Sequence, residues 1–268
     1  MSVTSEEQRP TPTVQAIPDD LADPASGLAP AGWRRRAEHR FEIDARYDSG
    51  DQPLVLAHAV RLAALAVAHE AYRVPRGHHC VFRSLSCAPA EPGPLALPPG
   101  TPITIGLDCL DPDLRRGQLV GAGFRGEVRT EDVLLGTGRV DFAFLSPAVY
   151  RFVRGTPEQA APDAPPWTGS SAREFRPRPD QLTFRGAPVD HIPGMTLAEA
   201  LLEMVRDQTD GARVTHFSSR FTGYTVPDTP CSLRLRPAGA DGTRSYEVLA
   251  VQSGRAVCEG GVVVHGGP

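Results

Sequence analysis

Asp190-His191-Ile192-Pro193-Gly194-Met195-Thr196-Leu197-Ala198-Glu199 is the stretch that decides how the chain is read. A Pro-Gly pair stands where an apolar, helix-periodic segment begins. Proline suits a first helical turn because its missing N–H is not needed there. Glycine beside it has no side chain, so a substrate carbonyl could approach the free amides of the helix start. Such amides can form an oxyanion hole, and Gly194 and Met195 are the candidates to supply it. Glu199 falls almost two turns into the helix, on the face of Met195 and Leu202. Burial there would suit it to a general base, and the alternative is an internal pair with Arg61. Asp190 is a plausible N-cap or site group, and His191 a candidate proton carrier beside the turn.

Working outward, the spacing predicts a helix over 193–207 and an earlier one over 53–72, apolar on nearly every side. A helix of that kind is buried. It nevertheless carries His58 and Arg61 three residues apart, on one face. A buried arginine needs partners, so the two are read as a base and an anion anchor, or else as an internal ion pair. Glu203 is a further candidate for substrate contact. His69, His78 and His79 read as helix-end and loop residues without metal spacing.

Each helix precedes strand-like runs: 80–87, 102–109, 118–129 and 133–145 after the first, and 213–225, 231–235, 245–252 and 255–264 after the second. Residues 1–30 lack periodicity and read as a disordered leader. Residues 156–179 hold six prolines and read as a linker.

The composition narrows the functions. The 268 residues carry a net charge of −4, which leaves no basic footprint for nucleic acid. All 28 basic residues are arginine, so lysine-borne Schiff bases, pyridoxal phosphate, biotin and lipoate are excluded. Five cysteines without a C-x-x-C pair read as reduced thiols, and no signal peptide or membrane span is evident. A cytoplasmic location follows as an expectation. Gly121 to Gly126 spells G-x-G-x-x-G inside a strand pattern with no helix behind it, which is not a dinucleotide site. No G-x-S-x-G elbow occurs. No cofactor and no metal are expected.

The quoted stretch resembles the Asp-His-Val-Pro-Gly-Met-x-Leu-x-Glu word of the A-factor biosynthesis hotdog family (AfsA-like). Four further words match in family order. They are Gln52-Pro53-Leu54 through Pro75, Ser146-Pro147-Ala148-Val149-Tyr150-Arg151-Phe152-Val153-Arg154-Gly155, Phe221 through Cys231, and Gln252 to Gly260. The resemblance implies an α+β, tandem hotdog fold, with a long helix wrapped by an antiparallel sheet in each unit. The units would span 31–155 and 180–268, meeting as a pseudo-dimer within a monomer or homodimer.

It also implies an acyltransferase that moves a β-ketoacyl group from an acyl carrier protein or acyl-CoA thioester to a small hydroxylated, phosphorylated acceptor. In the family that acceptor is dihydroxyacetone phosphate, on the way to γ-butyrolactones or butenolides. The family shows Glu-x-x-Arg-Gln in both helices. Here the first helix has His58, Arg61 and Leu62 at those places, and the second has Glu199, Leu202 and Glu203. The catalytic set expected is Glu199, His191 and His58. Arg61, Asp190, Gly194, Met195 and Glu203 would bind substrate. Two rival expectations stand beside it. One is a dehydratase, isomerase, cyclase or thioesterase acting on an acyl thioester. The other is a non-catalytic acyl- or partner-binding protein.

Overall fold

The computed structural model describes residues 13–18, 21, 26–49, 54–91, 97–131, 133–155, 163–168, 170–184, 187–239 and 244–266. Strands β1 (Gln15–Ala16) and β2 (Leu28–Ala37) lead into β3 (Arg40–Tyr47) and helix α1 (Leu54–Glu70). Strands β4 (His79–Pro89), β5 (Thr101–Arg115), β6 (Gln118–Thr130) and β7 (Val133–Leu145) follow, then helix α2 (Pro147–Gly155). The second half runs β8 (Ser171–Phe175), a two-residue hairpin β9 (Thr183–Phe184) and β10 (Ala187–Pro188), and helix α3 (Gly194–Gln208). It closes with β11 (Arg213–Phe221), β12 (Cys231–Pro237), β13 (Arg244–Gln252) and β14 (Arg255–His265).

Twelve of the described strands form one sheet in the order β1-β2-β3-β5-β6-β7-β4-β11-β14-β13-β12-β8. The halves join where β4 pairs antiparallel with β11, Leu85 opposite Ser219 and Ser86 opposite Ser218. Outward from that seam both halves repeat one order. First comes the strand after the helix, then the last, the middle and the second strand, and then the nearest strand of this sheet that precedes the helix in the chain, β3 or β8. Helix α1 packs on β2 and β4–β7, and α3 on β11–β14.

Every side chain from Val55 to His69 is buried. Small residues bring α1 close to the sheet: Gly126 and Gly138 stand opposite each other on β6 and β7. A Cβ on Gly126 would lie 2.7 Å from a Val60 methyl, and one on Gly138 3.0 Å away. Together the two glycines form a bay that only bare backbone can supply. The G-x-G-x-x-G word lies within β6 and ends in this bay, so packing accounts for its last glycine.

Both irregular segments hold more structure than their composition suggests. The leader expected over 1–30 is corrected in its second part: β1 pairs with β2, and Ile17, Leu21 and Leu28 are buried against the core. The linker expected over 156–179 contains β8, which edges the sheet along β12. In the same stretch Trp167 packs on Leu249, Val251 and Ala256. Residues 1–12 and 156–162 lie outside the described residues. Among the described residues no helix is long and apolar enough to cross a membrane.

Candidate active site

Two polar clusters lie near the start of α3. The first joins the helices. His58 Nε2 of α1 is 3.5 Å from Glu199 Oε1 of α3, a long hydrogen bond in which the ring N–H donates. The two environments differ sharply. The His58 side chain is only 7% exposed, whereas Glu199 keeps 41% of its surface. The expected burial of Glu199 is thus corrected: its helix is packed, but the carboxylate reaches the rim. Arg61 is buried one turn along α1 from His58.

The second cluster surrounds the turn into α3. His191 Nδ1 donates to Asp190 Oδ1 at 2.9 Å. The Asp190 carboxylate also receives Arg154 Nη2 at 3.0 Å and the Tyr150 hydroxyl at 3.3 Å, both from α2. Arg154 also reaches the Asp190 carbonyl at 3.1 Å. Tyr150 stacks on His79, with centroids 3.7 Å apart and planes at 8°, and the Arg154 guanidinium covers the Tyr224 ring. Partial burial opposes ionisation of Asp190, but the bonds from His191 and Arg154 outweigh it and hold the carboxyl below its ordinary value. Burial pushes Tyr150 up to about 12, which keeps its hydroxyl a donor, and burial lowers His79.

Asp190 is therefore not the cap of α3. The N-cap is Pro193, and among the described residues no side chain caps the helix start. Thr225 fixes the preceding turn instead, accepting from Ile192 N–H at 3.0 Å and donating to its carbonyl at 3.2 Å.

Gly194 also has a packing role. A Cβ there would lie 3.0 Å from both Phe221 and Phe82, two rings stacked at 5.1 Å across the seam. The space that a Cβ would take is filled by these rings. Met195 is buried. Glu203 stays apart from both clusters. It is 70% exposed and forms a solvated ion pair with Arg173 at 3.4 Å. Among the described residues no three His, Cys, Asp or Glu side chains gather as a metal set.

Tyr150, Arg154, Tyr224 and His79 join the site without having been singled out as site residues. A usable signal existed for two of them. Tyr150 and Arg154 are four residues apart on a helix opened by Pro147, which places them on one face.

The architecture is that of the hotdog proteins. The 12:0-ACP thioesterase from Umbellularia californica superposes with a TM-score of 0.57 at 12% identity, over 85% of this chain and 98% of that one. An acyl-ACP thioesterase from Bacteroides thetaiotaomicron superposes at 0.51 and 11% identity, over 78% and 87%. At such identities the likeness shows the fold alone.

The sequence goes further. Residues 17–146 match the model of the A-factor biosynthesis hotdog domain. A Streptomyces coelicolor relative, named 2-oxo-3-(phosphooxy)propyl 3-oxoalkanoate synthase, is 28% identical over 82% of this chain and 78% of its own. One of the same name from Streptomyces virginiae is 29% identical over 84% and 89%.

Proposed function

We propose that this protein transfers a 3-oxoacyl group from a carrier-protein or CoA thioester to the hydroxyl of a small phosphorylated acceptor. Dihydroxyacetone phosphate is the acceptor that the relatives' product name describes. The observation that carries this reading is the meeting of His58 and Glu199, one from each helix, at the rim of a hotdog sheet. A carboxylate open to solvent beside a buried imidazole can take up and pass on a proton. The acceptor hydroxyl loses its proton to this pair as its oxygen attacks the thioester carbonyl. The C–S bond then breaks, and the thiol leaves as the proton is relayed to sulfur through His191 at the turn into α3. Amides of Gly194 and Met195, at a helix start that no side chain among the described residues caps, would hold the oxyanion. Arg61 would hold the phosphate, whose charge calls for a planar cationic donor.

In this reading the two halves are hotdog units in tandem. They span about 31–155 and 180–268, form a pseudo-dimer in one chain or a homodimer of such chains, and work in the cytoplasm.

Glu199→Gln and Arg61→Ala test the roles in a turnover assay. Glu199→Gln should lower kcat about 100-fold or more. Arg61→Ala should raise KM for the acceptor roughly 10- to 100-fold, the worth of one charged hydrogen bond. Unchanged turnover in both variants overturns the assignment.

A further inference from the structure

Helix α2 lies outside the order that the two halves repeat, yet it sends two side chains onto one carboxylate at the entry to α3. We infer that Arg154 and Tyr150 are positioning residues for His191, acting through Asp190. The argument begins with Asp190, whose side chain is 61% exposed. An exposed aspartate beside a turn would normally rotate freely. Here Arg154 takes Oδ2, while Tyr150 and His191 share Oδ1. With both oxygens engaged, the carboxylate has one orientation. The bond from Arg154 to the Asp190 carbonyl fixes the backbone as well.

The clamp is rigid in its own right. Tyr150 is buried and pinned by its stack on His79, and Arg154 lies 4.8 Å over the Tyr224 ring. Tyr224 also meets His191 edge-on. Beyond the dyad, Thr225 holds Ile192 at both backbone groups. The histidine is thus held from both sides in sequence. Donation from Nδ1–H to Asp190 sets the tautomer and leaves Nε2 to accept or deliver a proton, the arrangement by which a carboxylate orients a catalytic imidazole. The exposed Asp190 adds little stability by itself, so holding His191 is the purpose that the geometry supports.

This inference takes its kinetic readout from the acyl-transfer reading, but its structural readout does not. Ring-15N histidine spectra of the full chain report the tautomer directly, and the His191 signal is identified by its loss in His191→Gln. The native protein should show His191 as the Nδ1–H tautomer. Arg154→Ala and Asp190→Asn should convert it to a mixture, while Tyr150→Phe, which removes one hydroxyl and keeps the stack, should shift it partway. In turnover, Arg154→Ala should lose about 100-fold in kcat, the cost of a misplaced reacting group. The acceptor KM should change by less than about twofold, as expected when ground-state binding is untouched. Arg154→Lys, with its circular dichroism unchanged, should recover part of the loss.

A native-like tautomer in Arg154→Ala overturns the inference, as does a fall in folding stability with kcat preserved. If the native chain transfers no acyl group, the acyl-transfer reading fails alone, and the spectra still decide whether α2 positions His191.

Discussion

Gly126→Ala links the packing of α1 to the chemistry at its start. The added Cβ would lie 2.7 Å from one Val60 methyl and 3.3 Å from the other. Apolar carbons rest about 3.5–4.0 Å apart, so the deficit is about 1 Å. Valine has one strongly preferred rotamer in a helix and cannot turn away. The strand has little room to yield, because β6 is paired on both sides, with β5 and with β7. The helix must therefore move. Overpacking of this kind costs about 1–3 kcal/mol, or a Tm drop of about 2–12 °C at this chain length. His58 is two residues before Val60, and a shift of about 1 Å would break its 3.5 Å contact with Glu199. We expect kcat to fall by up to about 100-fold. The control is Val60→Ala, which removes the clash. The double variant should be more stable than the sum of the single changes by about 0.5–3 kcal/mol, measured by denaturant unfolding alongside turnover. Additivity within about 0.5 kcal/mol, or native kcat in Gly126→Ala, would refute the claim that the glycine bay seats His58.

Other outcomes follow from the same geometry. Gly194→Ala should stiffen the start of α3 but press on Phe82 and Phe221, for a net loss of at most about 2 kcal/mol by thermal unfolding. A gain in stability would show that the rings yield freely. Asp190 is held below its unfolded value of about 3.9, so its stabilising effect is complete above that pH and fades as pH falls through the lower folded value. Asp190→Asn should flatten the pH dependence of stability in that window, and an unaltered acid limb would count against the cluster. Cys87 should resist alkylation in the folded chain at neutral pH, since burial pushes its thiol up to about 12. Rapid labelling without unfolding would contradict its burial.

Local signals carried much of the architecture. Strand β7 begins and ends where the pattern places it, and α1 and α3 fall within three residues of expectation at each end. Strand β3 is legible in the sequence: Phe41, Ile43, Ala45 and Tyr47 alternate with Glu42, Asp44 and Arg46, and the apolar set is buried. Strand β8 was hidden by its setting, since Ser171–Phe175 has only a weak alternation and sits among prolines. It is a strand because β12 offers a free edge, which is tertiary information.

Site residues divide along the same line. His58 and Glu199 stood out one at a time, as polar groups on apolar helices. Their contact spans 141 positions and depends on the β4–β11 seam, which no local period encodes. For Glu203, a helix position does not say whether a strand arginine waits beside it. Here Arg173 of β8 does.

The most direct test is mass spectrometry of the protein with a 3-oxoacyl carrier protein, with and without dihydroxyacetone phosphate. The account predicts free carrier and a phosphooxypropyl ester of the 3-oxo acid only when the acceptor is present. Carrier released equally without the acceptor, with no ester formed, would contradict it.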